Sequence, residues 1–221
     1  MLRRDFSLGL AATAGILRAA YAQAPAPAQA APSPGFQEGK DYISLDKRAP
    51  TDVASGKIEV VEFFWYNCPH CNAFEPQLEA WIKRTPKDLL VRRVPVAFRD
   101  EFVPQQRLYY ALEAMGKVEE LHTKVFYAIH VEKQNLNTQA NIGAWLEKQG
   151  VDKAKFDTLF SSFSVSSKAQ KATQLQNAFQ VDGVPSLGIA GRFYTSGSLA
   201  QSMDRALAVT DHLIAQVRKT K

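Results

Sequence analysis

The spacing of apolar residues changes along the chain, and each spacing predicts a different element. Ile58–Trp65 and Leu89–Val96 are rich in β-branched and aromatic residues, so both are predicted to be strands, the first of them buried and central. From Val103 to Phe163 the apolar positions recur three and four residues apart, which predicts four short helices with apolar stripes that form core. A further helix is predicted from about Ser167 to Gln180.

The two ends of the folded region carry shorter signals. Tyr42–Leu45 is a candidate for a short strand, and Leu187–Ala190 with Arg192–Tyr194 predicts a β-hairpin. The apolar positions between Leu199 and Val217 have helical spacing and predict a final amphipathic helix.

This order of elements predicts an α/β fold interrupted by a helical block. Residues 41–99 and 168–221 are predicted to form one domain, and residues 100–167 an inserted helical subdomain. Residues 23–40, rich in Ala and Pro, are predicted to be a semi-rigid linker.

Residues 1–22 have the layout of a secretory signal peptide. Arg3 and Arg4 come before the apolar run Leu8–Leu17, and Ala20-Tyr21-Ala22 is a small-x-small cleavage site. The run is shorter than the roughly 20 residues that cross a bilayer as a helix. The paired arginines resemble a twin-arginine export signal, and a buried N-terminal helix is the alternative to export.

Composition narrows the classes of function. The chain has 221 residues, 46% hydrophobic and 22% charged, as in an ordinary globular protein. Its formal charge of +5 comes from scattered Lys and Arg, so nucleic acid is not an expected partner. With two cysteines in all, neither a disulfide-stapled scaffold nor a four-cysteine metal site is available.

Both cysteines lie in one tetrapeptide, Cys68-Pro69-His70-Cys71, between a predicted strand and a predicted helix. Pro69 suits the first helical position, which places Cys68 at the N-cap. There the unpaired backbone N–H groups and the helix dipole favour a thiolate, and His70 adds to this effect. A lowered thiol pKa stabilises the reduced pair and makes its disulfide more oxidising. Cys68 is therefore predicted to be the exposed, attacked sulfur and Cys71 the less exposed one.

Three alternatives compete with a redox-active cysteine pair. The tetrapeptide could be half of a zinc site, although His122, His130 and His212 have no ligand spacing to it. It could also be a structural disulfide, although so short a loop constrains the unfolded chain little. Two inert buried cysteines are the third alternative.

The segment from Val61 to Cys71 resembles the active-site segment of the DsbA family of periplasmic thiol–disulfide oxidoreductases. The resemblance extends from about Tyr42 to the end of the chain, and Pro-His between the cysteines is typical of the oxidase branch. It implies a thioredoxin fold interrupted by a helical insert. It also implies that Cys68 is the nucleophile, that Cys71 resolves the mixed disulfide, and that Pro69 and His70 form the dipeptide that tunes the potential.

The same resemblance identifies Val184-Pro185 as the loop whose cis-proline faces the cysteines. The cis form of a bond before proline costs about 0.5–1 kcal/mol, and it leaves the Val184 backbone free to pair with an extended substrate. An ordinary trans turn is the alternative.

The resemblance also implies an acidic residue on the central strand. Glu62 matches the family acid that is buried beneath the cysteines and assists proton transfer, and burial should raise its pKa. A surface position at the sheet edge is the alternative. Arg92 and Arg93 stand where family members commonly carry a lysine, which puts an ion pair of Glu62 in question. Glu75 resembles a second family acid but also suits a solvated helix position.

The sequence predicts the positions of four aromatic or imidazole side chains less definitely. Trp65 and Tyr66 could form an apolar wall beside the disulfide or pack in the core. His122 and His130 are expected at the surface of the insert.

The sequence therefore predicts an exported, periplasmic disulfide oxidase. It would donate the Cys68–Cys71 disulfide to reduced exported polypeptides and be reoxidised by a quinone-linked membrane partner of the DsbB type, which the family implies. No metal, flavin or nucleotide cofactor is expected, since the redox group is the cysteine pair itself, and the protein is expected to be a monomer. There are two alternatives: a reductase or isomerase on the same fold, and a redox-inactive chaperone or binding module.

Overall fold

The structure is a computed structural model that describes residues 35–220. The predicted signal peptide and most of the predicted linker lie outside the described residues. The ring of Phe36 packs against His212 and beneath the guanidinium of Arg205. The last five residues assigned to the linker therefore belong to a segment that is already held against the folded chain.

A mixed sheet of five strands forms the centre of the described residues, in the order β1-β5-β4-β2-β3. Only β2 and β3 are parallel; β4 pairs antiparallel with β2, and β5 pairs antiparallel with β4 and β1. The strands are β1 (Ile43–Ser44), β2 (Ile58–Phe64), β3 (Leu89–Pro95), β4 (Ser186–Ile189) and β5 (Phe193–Ser196). The central position of β2, buried at all seven of its residues, agrees with its apolar sequence.

Eight helices accompany the sheet in the described part of the chain. They are α1 (Pro69–Lys83), α2 (Val103–Ala114), α3 (Val118–His130), α4 (Gln139–Lys148), α5 (Lys153–Phe160), α6 (Phe163–Ala178), α7 (Gly197–Ala200) and α8 (Met203–Lys219), with a short 3-10 turn before α2. Helices α2 to α6 follow one another between β3 and β4. Within residues 35–220, no helix combines the length and the apolar character that crossing a bilayer requires.

Alternation along β2 divides the core between the two faces of the sheet. Ile58 and Val60 belong to the apolar cluster that includes residues of α1 and α8. Val61 and Phe63 belong to the cluster that includes the helices between β3 and β4. Successive side chains of a strand point to opposite faces, so one strand anchors both layers. The chain leaves this doubly anchored strand directly into the Cys68–Cys71 segment.

The α/β fold with inserted helices is confirmed, and the strands β2 and β3 end within one residue of their predicted ends. Helix α6 starts at Phe163, whereas its predicted start is about Ser167. The side chain of Ser162 accepts a hydrogen bond from the backbone N–H of Val165, which fixes this earlier start. Phe163, predicted to lie on a core stripe, is 88% exposed because it occupies the first turn of the new helix.

Candidate active site

The first turn of α1 is built around the sulfur of Cys68. Cys68 is the N-cap residue and Pro69 begins the helix, where its missing N–H leaves no donor unpaired. The Cys68 sulfur accepts a hydrogen bond from the backbone N–H of Cys71 at 3.4 Å. The two cysteines are not bonded to each other in this structure, which therefore describes the dithiol form.

The two sulfurs differ in how far they are covered. Cys71 is completely buried, whereas Cys68 retains 7% of its surface. The sequence predicts an exposed Cys68, and in this respect the prediction is wrong: the cap geometry turns the sulfur in towards the helix and towards the carbonyl oxygen of Val184, 3.4 Å away. Cys68 is still the more exposed of the two sulfurs.

The acidities of the two thiols are shifted in opposite directions. The hydrogen bond donated by the Cys71 thiol is the largest cause that lowers the pKa of Cys68, from 9.0 to about 6. The backbone N–H groups of Cys71 and His70 and the charge of His70 add to it, against the opposing effect of burial. Burial raises the pKa of Cys71 well above its ordinary value. At neutral pH the pair is therefore one thiolate and one thiol.

A groove runs beside Cys68 on the side of His70. The Val184–Pro185 peptide bond is cis, as the family resemblance implies. Together with His70, these residues line a groove of about 420 Å³. Its far wall is polar and comes from the end of β5, from α7 and from the two residues between α7 and α8: Ser196, Ser198, Gln201 and Ser202. The proline loop thus connects the groove to the sulfur of Cys68.

A buried ion pair lies below this surface. Glu62 is 1% exposed, and β2 and β3 pair so that Glu62 lies directly opposite Arg93. The Arg93 Nε atom is 3.2 Å from Glu62 Oε2, so the arginine replaces the lysine that the family commonly carries. Burial, followed by the charge of Glu75, raises the pKa of Glu62 to about 8 in spite of Arg93. Glu62 therefore carries a proton at neutral pH.

Arg93 also holds two carboxylates of α1. One guanidinium nitrogen is 2.6 Å from Glu75 Oε1 and 2.5 Å from Glu79 Oε1. Burial would raise the pKa of Glu75, but the hydrogen bond and charge of His122, together with Arg93, lower it overall. One arginine thus serves three acidic side chains.

A hydrogen-bonded chain leads from Glu75 into the insert. His122 Nε2 is 3.4 Å from Glu75 Oε2, and His122 Nδ1 is 2.9 Å from the Tyr66 hydroxyl oxygen. Burial lowers the pKa of His122, so its ring is neutral at pH 7. The tautomer with hydrogen on Nε2 fits both contacts, since it donates to Glu75 and accepts from Tyr66.

The polar residues of the network are more buried than expected. His122 is 4% exposed, so its expected surface position is wrong, and Glu75 is buried at 4%, which excludes the solvated alternative for this residue. His130 is half-buried, and its Nε2 atom lies 2.8 Å from the backbone oxygen of Tyr66. In each case a partner within the fold replaces water.

The two aromatic neighbours of the motif both pack against the core, but to different depths. Tyr66 is a core residue, 1% exposed. Trp65 is half-buried and stacks on Phe102 with ring centroids 3.9 Å apart. Within residues 35–220, no group of three or more His, Cys, Asp or Glu side chains could hold a metal ion.

The helical spacing contains a signal for the burial of both His122 and Glu75. His122 precedes Val125 and Phe126 by three and four residues, which places it on the apolar stripe of α3. Glu75 follows Cys71 by four residues and precedes Leu78 by three, so it shares the buried face of α1. A polar residue on such a stripe needs a buried partner.

Comparison with known proteins supplies a family. A family model described as a DSBA-like thioredoxin domain matches residues 59–208. The chain is 45% identical over 190 residues to the thiol:disulfide interchange protein DsbA of Bordetella parapertussis, covering 86% of this chain and 90% of that protein. The corresponding protein of Pseudomonas aeruginosa is 36% identical over 203 residues, covering 92% and 96%.

Solved structures support the same family. The crystal structure of Pseudomonas aeruginosa DsbA superposes with a TM-score of 0.80 at 36% identity and covers 84% of this chain and 96% of that one. The oxidoreductase DsbA from Xylella fastidiosa gives a TM-score of 0.78 at 29% identity, with 83% and 98% covered. Both likenesses extend over the sheet and the inserted helices, and not over the cysteine segment alone.

The hydrogen bond from Cys71 generates a prediction about Cys68. Replacing Cys71 by Ala removes the donor, so the pKa of Cys68 should rise from about 6 by about one unit or more. Cys71→Ser keeps a hydroxyl donor and should raise it less. The measurement is the rate of iodoacetamide alkylation between pH 4 and 9, with the modified residue identified by mass spectrometry. An unchanged midpoint in the alanine variant would show that Cys71 does not set this acidity.

The raised pKa of Glu62 generates a prediction about stability. The folded state binds this proton up to about pH 8, whereas the unfolded chain releases it near pH 4.5, so wild-type stability falls as pH rises between these values. Glu62→Gln should therefore be more stable than wild type at pH 7, by about 1–3 kcal/mol, with no gain at pH 4.

Urea unfolding of the reduced protein from pH 4 to 8.5 measures this difference. The control is Glu101→Gln, at a carboxylate that is 60% exposed and paired only with Arg99 in the described structure. It should shift stability by less than about 0.5 kcal/mol at every pH. A Glu62→Gln variant that is less stable at pH 7 than at pH 4, relative to wild type, contradicts the assignment of the proton to Glu62.

Proposed function

The chain belongs to the DsbA family and is a protein disulfide oxidoreductase, and on this premise we propose that it donates the Cys68–Cys71 disulfide to reduced, newly exported polypeptides. The observation that carries the proposal is the difference between the two thiols. Cys68 is acidic and reachable, whereas Cys71 is buried and weakly acidic. This difference favours the reduced pair, so electrons pass from the substrate to the protein. The redox group is then the cysteine pair, with no further cofactor.

The reaction begins with attack on Cys68. A substrate thiolate attacks its sulfur, the bond to Cys71 breaks, and a mixed disulfide forms. Cys71 leaves as a thiolate in a site that strongly favours the protonated form, and it takes up a proton. Glu62, protonated at neutral pH and close enough to influence the pKa of Cys71, is the proposed donor.

The second step releases the product. Another thiolate of the substrate attacks the substrate sulfur of the mixed disulfide, and Cys68 leaves as a thiolate. A low pKa makes Cys68 a good leaving group, because the thiolate is held by the Cys71 thiol and by backbone N–H groups. The substrate has lost two electrons and the protein holds them as a dithiol. The same low pKa argues against a reductase, which must give these electrons away.

The proline loop is the proposed contact for the substrate backbone. The carbonyl oxygen of Val184 lies 3.4 Å from the Cys68 sulfur. An extended peptide pairing with this residue would bring its cysteine to Cys68. The groove of His70 and Pro185 would accept neighbouring side chains, and its serine-rich wall suits polar ones.

The dithiol must be reoxidised by a partner in the compartment where the protein acts. We propose that a quinone-linked membrane oxidoreductase of the DsbB type takes up the two electrons, since the family implies one. Residues 1–22 support export to the periplasm through their signal-peptide pattern. The protein is proposed to act as a monomer.

The unequal roles of the cysteines can be tested with two serine variants. The oxidised wild-type protein should form one disulfide in a reduced, unfolded two-cysteine test protein for each Cys68–Cys71 pair that is reduced. Cys68→Ser and Cys71→Ser should form none. After exposure to glutathione disulfide, Cys71→Ser should retain a stable glutathione adduct on Cys68, and Cys68→Ser should remain unmodified because Cys71 is fully buried.

Mass spectrometry and thiol counting give both results. Equal adducts on the two variants would contradict the assignment of Cys68 as the attacked sulfur. A protein that binds the test polypeptide equally well as Cys68→Ser and forms no disulfide as wild type would instead be a binding module.

A further inference from the structure

A cleft of about 350 Å³ lies between α1 and α3, away from the proline loop. Its walls are apolar and come from Pro76, Phe126, Tyr127 and Val131. Glu75 and Glu79 form its acidic side. We refer to this feature as the α1–α3 cleft.

The rim of the cleft exposes apolar surface. Tyr127 is 55% exposed and Val131 is 56% exposed, and their spacing of four residues places them side by side at the end of α3. The other large hydrophobic residues that are exposed in the described structure lie apart, on β3, on the loop after it and at the start of α6: Leu90, Phe98 and Phe163. A paired apolar rim around an acidic cleft is typical of a binding surface.

The charges of the cleft do not balance. Arg93 is shared by Glu62, Glu75 and Glu79. At neutral pH Glu62 is protonated and His122 is neutral, which leaves two carboxylates facing one guanidinium. Glu75 is buried, with Oε1 on Arg93 and Oε2 facing His122, so Glu79, whose side chain is 38% exposed, is the carboxylate that the cleft presents to solvent. The cleft is therefore complementary to one additional positive charge.

The cleft and the proline groove flank Cys68. His70 lines the groove and Asn72 lines the cleft, and two residues of a helix are about 200° apart around its axis. Along α1, the distance from Cys68 to Glu75 and Glu79 is about 10–17 Å. An extended chain covers this distance in about three to five residues. A polypeptide joined to Cys68 can thus reach both sites.

We propose that the α1–α3 cleft is a subsite for an arginine or lysine side chain of the reduced polypeptide, about three to five residues from the cysteine that reacts with Cys68. Glu79 binds the charge and the apolar walls cover the methylene chain, while the Tyr127 ring offers a face to a guanidinium. This rests on the proposed function, because it assigns a preference to that same reaction.

Single-cysteine peptides test the preference with the oxidised wild-type protein. Each protein disulfide accepts two electrons from two peptide thiols and yields one peptide disulfide, which chromatography quantifies. One series carries Arg at three, four or five residues on either side of the cysteine, and a matched series carries Gln. At low salt the best Arg peptide should react about fivefold faster than its Gln counterpart, and the ratio should fall with added salt.

Variants show whether the preference for Arg peptides depends on the α1–α3 cleft. Glu79→Gln and Tyr127→Ser should each reduce the Arg-to-Gln ratio to less than twofold. Phe163→Ser removes a more exposed aromatic residue elsewhere on the insert and should leave the ratio as in wild type. The ratio compares two peptides on one protein, so a general loss of activity does not alter it.

The outcomes separate this proposal from the function on which it rests. If neither series is oxidised, the oxidase function itself fails. If both series react at equal rates, the function stands and the subsite is refuted. A preference that survives in Glu79→Gln comes from the acidity of the peptide thiol, and it refutes the subsite as well.

Discussion

The chemistry of this protein depends on one contact, the sulfur of Cys68 held at the start of α1. Helices leave their first N–H groups without partners inside the helix. Here the N–H of Cys71 points at the Cys68 sulfur, and the Cys71 thiol adds a second hydrogen bond. Because both donors come from the same turn, the acidity of Cys68 and the burial of Cys71 arise together. Strand β2 fixes that turn by anchoring both layers of the core.

The buried acids beneath this turn lower the stability of the fold, and the structure shows how that cost is limited. Glu62 remains buried because Arg93 lies opposite it in the parallel pair of β2 and β3. Arg93 keeps its charge under all ordinary conditions, so the proton that can move in this region is the one on Glu62. His122 and Tyr66 extend the network into the inserted helices, which links the insert to the redox site by hydrogen bonds as well as by packing.

The sequence predicts well those features that depend on local spacing. Strand β2, the N-cap position of Cys68 and the helical block follow from periodicity and from Pro69, since these signals act within a few residues. The pairing of Glu62 with Arg93 depends on the register between two strands, which no local pattern reveals. The burial of His122 is missed and that of Glu75 is left open for a similar reason: they lie on apolar stripes, and their burial becomes favourable only when α1 and α3 pack together. Phe163 shows the converse, because a serine cap moves a helix start and leaves an apolar residue in water.

The reduction potential of the Cys68–Cys71 pair is the most direct test of the central claim. Equilibration with glutathione buffers, followed by thiol alkylation and quantification of both forms, gives its value. A thiolate stabilised in the reduced form predicts a potential near the oxidising end of the thioredoxin superfamily, closer to about −120 mV, the value of the best-studied DsbA protein, than to about −270 mV, the value of thioredoxin. A potential near the thioredoxin value would contradict the account, because the first turn of α1 would then not favour the dithiol and the protein could not act as a donor of disulfides.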